Sequence, residues 1–295
     1  MDAPTEPHIY KSNALIEASY RLNLQEQRII LACIAQVNRS QPITDERMYR
    51  VTAKDLATLA GSRPDSAYKE LKSATETLFD RRLTVYEEPN GGRPEKMTIR
   101  WVQSVKYKEQ EGCVEIRFGK DILPYLTELT RRFTRYALSD VARMSSSHAI
   151  RLYELLMQWR DTGTREIGID WMRQRLGIED KYPAYKDLRR YVIEPAVKQI
   201  NAHSPIRVKW EARKTGRKVT HLAFSFTAPD KPPASNGKGR PAQPGKACRS
   251  SDSVNGVPKA LIEQRAKPGE SYEDCARRLL GKRARAQRAE GEATT

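Results

Sequence analysis

Little in this chain is suited to metal or redox chemistry. Cys33, Cys113, Cys248 and Cys275 lie 80, 135 and 27 positions apart. No pair has the close spacing of a zinc site or the density of a disulfide framework, so all four read as free thiols. His8, His148, His203 and His221 include no H-x-H or H-x-x-x-H pair, and neither a metal nor a cofactor is expected. Long apolar runs are also missing. Nothing approaches the roughly 20 residues that span a bilayer, and the opening MDAPTEPHIYKSN lacks the apolar core of a secretory signal. A cytoplasmic protein with no membrane contact is the expectation. Acidic residues are the last shortage. Against 53 lysines and arginines stand 37 aspartates and glutamates, a formal net charge of +16. Such an excess needs an anionic partner, nucleic acid before membrane, because Lys and Arg neutralise phosphates whatever the base sequence.

Signatures of catalysis are scarce as well. The nearest approach to a phosphate-binding loop, Gly239 to Gly245-Lys246, has five intervening residues and Ala247 where Ser or Thr should hold magnesium. There is no G-x-S-x-G elbow and no nuclease-like carboxylate cluster. No catalytic residue and no enzyme activity are expected.

At 295 residues the chain is long enough for about two domains. Composition changes after Phe226: residues 229–258 hold six Pro, four Gly and four Ser with no aromatic. Such a stretch buries too little surface to offset ordering. A linker followed by a disordered basic tail is expected, with transient helix from about Tyr272. Fourteen basic and eight acidic residues from Pro229 onward leave +10 on the first 228, so the folded part is basic in its own right.

Within those 228 residues one pattern occurs twice. Asn23, with Glu26 three positions on, predicts an N-cap for an amphipathic helix through Ile30, Cys33, Ile34 and Val37. Thr52 with Asp55 predicts a second capping box before AKDLATLA, ended by Gly61. A third helix follows through Ala67, Leu71, Ala74, Leu78 and Phe79. Alternation at Leu83 and Val85, at Met97, Ile99 and Trp101, and at Val114, Ile116 and Phe118 predicts strands. Helix, helix-turn-helix and hairpin make a winged helix. The second copy opens at a Ser145-Ser146-Ser147 cap before Leu152, Leu155, Leu156 and Trp159. A strand EIGI and a helix capped by Asp170 come next, then a long helix from Tyr185 to Asn201 bent at Pro195. Its hairpin places Ile206, Val208, Trp210 and Ala212 on one face, opposite Leu222, Phe224 and Phe226. Trp159, Trp171 and Trp210 are expected in the core. The fold class is α+β, two tandem winged helices with a disordered tail.

The basic residues then fall into place. Arg213, Lys214, Arg217 and Lys218 surround Gly216 at the second hairpin's tip, where a wing would lie on the DNA backbone. Lys186, Arg189 and Arg190 stand at i, i+3, i+4, off the Leu188/Val192 face. They are the candidates for base readout, since arginine bonds bidentately to guanine O6 and N7. Ser66, Lys69, Lys72 and Ser73 form the corresponding exposed face in the first copy. The first wing, EEPNGGRPEK, is far less basic, so the second domain should bind DNA more strongly.

Three stretches carry a family resemblance: KSNALIEASYRLNLQEQRIILACIAQV; LPYLTELTRRFTRYAL followed by SSHAIRLYELLMQWR; and LRRYVIEPAVKQINAHSPIRVKWEARKTGRKVTHLAFSF. In this order, over about residues 8 to 228, they resemble the replication initiators of iteron-containing plasmids. The resemblance implies an N-terminal winged helix over 8–138 that also mediates dimerisation, a C-terminal winged helix over 139–228 that is the main iteron binder, and a tail over 229–295. It implies double-stranded DNA as partner: monomers on the direct repeats of an origin, and homodimers on an operator inverted repeat that represses the chain's own promoter. It further implies origin opening and recruitment of the host initiator and replicative helicase. Arg189 and Arg190 match arginines that read iteron bases in the family, while Tyr191 stands where a relative has a third arginine. Two rivals remain at this level: a transcriptional regulator with the same two domains, and a nickase with dispersed catalytic residues.

Overall fold

A computed structural model of the chain describes residues 6–37, 43–60, 67–91 and 94–227, together with the short strands Ser253–Val254 and Val257–Pro258. The expected linker up to Asp252, the tail helix, Gly61, Ser66, Cys248 and Cys275 lie outside the described residues, while the end of the expected linker carries the two short antiparallel strands.

The first winged helix begins with β1 (His8–Ser12), α1 (Asn13–Ile16), β2 (Ser19–Tyr20) and α2 (Leu24–Ile34). The Asn23 capping box forms: Asn23 Oδ1 accepts from the Glu26 amide at 2.9 Å and Glu26 Oε2 accepts from the Asn23 amide at 2.7 Å. Contrary to the amphipathic expectation, α2 is buried all round from Glu26 to Ile34, because it packs against β3 (Tyr49–Thr52), α3 (Ala53–Ala60) and α4 (Ala67–Phe79). Glu26 itself is buried, and its carboxylate also takes the Thr77 hydroxyl at 2.7 Å and Arg81 Nε at 2.9 Å. A cap read from the sequence thus doubles as the anchor of α4. Thr52 and Asp55 form the second box reciprocally, at 2.9 and 3.0 Å, an arrangement worth about 0.5–2 kcal/mol.

On α4, Ala67, Leu71, Ala74 and Leu78 are buried as expected, but Phe79 is 38% exposed at the helix end. β4 (Arg82–Glu87), β5 (Pro94–Arg100), β6 (Val102–Lys108) and β7 (Cys113–Phe118) follow. They make two three-stranded sheets, ordered β2-β4-β5 and β3-β7-β6. β8 (Phe133–Ala137) returns to pair antiparallel with β1.

After α5 (Ser139–Ala142), α6 (Ser147–Met157) carries Ile150, Leu152, Leu155 and Leu156 inward, each worth about 1.5–3 kcal/mol of burial. Ser146 is its N-cap, but no serine hydroxyl caps it; Gln199 Oε1 instead accepts from the Ser145 amide at 2.7 Å. Trp159 falls beyond the helix end and is 47% exposed, which removes it from the core; Trp171 and Trp210 are partly buried against it.

The second winged helix has β9 (Thr164–Gly168), α7 (Ile169–Leu176), α8 (Tyr185–Leu188), a π-helical segment (Arg189–Ile193), α9 (Glu194–His203), β10 (Arg207–Thr215) and β11 (Lys218–Thr227). Its sheet order is β10-β11-β9. Gly168, not Asp170, is the N-cap of α7. Asp170 sits one position inside the helix with its side chain 99% exposed, 3.7 Å from Arg173. The expected bend at Pro195 takes a definite form. The Glu194 amide bonds back to the Arg189 carbonyl, five residues away, and Pro195 stands in the first turn of α9, where no N–H is required. One cluster of buried side chains, from Ile9 to Phe226, runs through both winged helices.

Candidate nucleic-acid interface

In the second winged helix, α7 and α8 are joined by residues 177–184. Gly177 has φ +62 and a Cβ there would meet Arg21 Cβ at 3.0 Å and the Tyr20 carbonyl at 3.2 Å, so both backbone angle and space require glycine. Arg173 Nη2 donates to the carbonyls of Tyr182 at 2.7 Å and Pro183 at 2.9 Å, fixing the turn that aims α8. Tyr182, at φ 53, stacks on Tyr191 with centroids 5.9 Å apart.

Lys186, Arg189 and Arg190 are all exposed on the helix this turn presents, while Leu188 and Val192 are buried. The three differ in readiness. Arg189 Nε is held by Glu194 Oε1 at 2.7 Å with its guanidinium 5.7 Å from the Trp210 ring centroid. Arg190 lies over the Tyr191 ring, and neither it nor Lys186 has an ion-pair partner among the described residues.

The wing is a two-residue turn between Thr215 and Lys218. Gly216 takes φ +61 with nothing within 4 Å of a Cβ position, so it meets only the turn's backbone demand. Arg213, Lys214, Arg217 and Lys218 are exposed; Arg213 reaches Glu211 at 3.6 Å. The fold brings helix and wing together. A groove of about 560 Å³ is lined by Asp170, Arg173, Pro183 and Tyr185 together with Arg217 and Lys218 of the wing. Arg173, Tyr182 and Tyr191 carry no spacing signal that marks them in the sequence, because their roles depend on how a turn folds back on a helix.

The first winged helix repeats the layout with other electrostatics. Lys69, Lys72 and Ser73 are exposed on α4, and Ser66 is outside the described residues. Lys69 and Ser73 border a groove against the start of α2, where Gln25 Nε2 donates to Glu70 Oε2 at 3.1 Å. Its wing is tied down: Asn90 Oδ1 accepts from the Thr130 amide at 3.1 Å and Asn90 Nδ2 donates to the Glu128 carbonyl at 3.3 Å. Arg132 pairs with Glu87 at the wing's base.

A polar seam holds α6 to the strands of the first winged helix. Glu154 of α6, fully buried, accepts from Lys11 Nζ and from Tyr136 Oη, each at 2.6 Å. Arg151 donates to Glu154 at 3.2 Å, to Tyr20 Oη at 2.7 Å and to the Ala18 carbonyl at 2.9 Å. Arg165 of β9 reaches Glu17 at 2.8 Å. Burial alone would raise the Glu154 carboxyl, but Lys11, Arg151 and the Tyr136 hydroxyl together hold it below its ordinary value. Burial lowers Lys11. Sequence patterns did not reveal this set, since Lys11 and Glu154 are 143 positions apart.

Two winged helices with exposed basic side chains on helix and wing define a DNA-binding protein of the helix-turn-helix class. Residues 8–157 match the family model for Initiator Replication protein, WH1, and residues 168–226 the model for Initiator Rep protein, WH2; the chain belongs to this family of replication initiators. Among its relatives, the PI protein of Escherichia coli is 25% identical over 257 residues, 77% of this chain and 84% of the relative. A replication initiation protein of Escherichia coli is 28% identical over 223 residues, 73% of this chain and 68% of the relative. The solved structure of the Pi initiator protein in complex with iteron DNA superposes with a TM-score of 0.64 at 22% identity, covering 78% of this chain and all of that one. Among the described residues no helix is long and apolar enough to cross a membrane.

Proposed function

We propose that this chain initiates plasmid replication by binding iteron repeats in duplex DNA, chiefly through its second winged helix. One observation carries the proposal: the exposed Lys186, Arg189 and Arg190 and the exposed wing Arg213–Lys218 belong to the same winged helix, in which Tyr185 at the start of the helix and Arg217 and Lys218 of the wing line one groove. Family membership and the kinship to PI protein support it. The helix enters a major groove, where Arg189 and Arg190 bond guanine edges, and the wing lies along the phosphates. Ser66, Lys69, Lys72 and Ser73 of the first winged helix contact the next groove.

Residues 8–138 also form the dimer interface, residues 139–228 are the principal iteron reader, and residues 229–295 are a tail. Monomers occupy direct repeats, help open the origin and recruit the host initiator and replicative helicase; dimers occupy an inverted repeat and repress the chain's own promoter. The chain makes and breaks no covalent bond, and it works in the cytoplasm. A footprint on the non-coding DNA beside the gene, at near-physiological salt, tests this. Several protected direct repeats of about two helical turns each are expected. A single protected palindrome overturns initiation in favour of a transcriptional regulator, and an unbroken smear overturns sequence-specific reading altogether.

A further inference from the structure

Apolar contact is non-directional, so two surfaces joined by it alone slide past one another at little cost. The join between the first winged helix and the rest of the fold is different. Glu154 accepts three donors from three elements, Lys11 of β1, Tyr136 of β8 and Arg151 of its own helix. Lys11 and Glu154 are both fully buried. Arg151 in turn grips the Tyr20 hydroxyl and the Ala18 carbonyl at β2. On its other side α6 packs against α9, the helix that continues the Arg189–Arg190 segment. A second tie, Arg165 to Glu17, joins β9 directly to the end of α1. Charged groups held in this way have one low-energy arrangement, because any shift leaves a buried cation or carboxylate without its partner. Such a join confers little affinity of its own and strong register.

We propose that the Lys11–Glu154–Arg151 network is a ruler, fixing the spacing along DNA at which the two winged helices engage one site. The inference rests on the two-headed reading of DNA above. Inserting one base pair between the halves of a site moves them about 3.4 Å apart and turns one by about 34° relative to the other. A rigid join cannot follow that change; a loosened one can.

The probe is the repeat found by footprinting, in duplexes carrying zero, one or two extra base pairs at its centre. The proteins are the full chain and its Lys11→Met/Arg151→Met/Glu154→Met variant, which exchanges the three buried charges for apolar groups of similar length and keeps the core filled. For the wild type, losing simultaneous engagement of the second head should weaken binding about 100-fold or more at two inserted base pairs. The triple variant should bind the unaltered repeat and lose less than about tenfold on the same insertion. Glu17→Gln, at a half-exposed carboxylate, should flatten the profile in the same direction by a smaller factor. A variant that weakened on every duplex by one common factor, or that kept the wild-type ratio between spacings, would sink the ruler. A wild type that protects no repeat, or only half of one, would instead remove the two-headed reading beneath it.

Discussion

The two winged helices share an order of elements and differ in what their exposed charges are doing. In the first, the wing is bound by its own chain: Asn90 holds residues 128–131 and Arg132 holds Glu87. Its helix α4 exposes Glu70 and Glu76 beside Lys69 and Lys72. In the second, nothing lies within 4 Å of a Cβ position at Gly216, and although Arg189 is paired with Glu194 and Arg213 with Glu211, its helix offers Arg190 and Lys186 without carboxylate partners among the described residues. A cation already paired within the protein must surrender that partner before it can neutralise a phosphate, whereas an unpaired one only releases counter-ions. The first wing is therefore held by its own chain while the second stands free, and the difference is set by a few side chains at the wing.

The largest way to break the comparison is to uncouple the copies. Glu154→Gln strands Lys11 in the seam and should lower unfolding stability by about 3–5 kcal/mol at neutral pH, measured by urea denaturation. The same residue sets an acid limb. Its folded carboxyl is held below the ordinary carboxylate range, so its contribution is complete above that range and is lost as pH falls through the lower folded value. Glu154→Gln should lack that limb in unfolding curves recorded between about pH 3 and 6.

Next in size is Arg189→Ala with Arg190→Ala, which should remove about 1–3 kcal/mol of discrimination for each bidentate base contact while leaving binding to random duplex nearly intact. Competition titrations with specific and random DNA measure this, and equal losses on both would contradict the assignment of base reading to this helix. Lys214→Ala with Lys218→Ala should weaken all duplexes alike and reduce the salt slope by about 1 per lysine. If the slope is unchanged, the wing does not lie on phosphates.

The smallest effect sharpens the contrast from the other side. Asn90→Ala frees the first wing, lowering stability by about 1 kcal/mol for the lost hydrogen bonds, with DNA affinity unchanged. A tenfold loss of affinity would show that the first wing, too, is a DNA contact.

Much of the second copy was legible because its signals are local. A tight turn rich in glycine and cations between two alternating strands can scarcely be anything but a projecting basic hairpin, and the i, i+3, i+4 spacing puts Lys186, Arg189 and Arg190 on the open side of a helix whatever that helix packs against. The cap of α7 lies two positions before Asp170, because Gly168 supplies the extended backbone of an N-cap without any side chain to advertise it. Trp159 was misplaced because helical periodicity was carried past the point where α6 stops.

The sequence by itself determined the two capping boxes at Asn23 and Thr52, the two hairpins and the excess of positive charge, all of which depend on neighbours within a few residues. Only the tertiary structure decided that Arg189 rests on Glu194 and Trp210, that the first wing is tied to residues 128–132, and that Lys11, Arg151 and Glu154 meet in the interior. Hydrophobic spacing says which face of an element is covered, but the partner of a buried charge is fixed by which distant elements the shared core brings within 3 Å, and that depends on the whole chain at once.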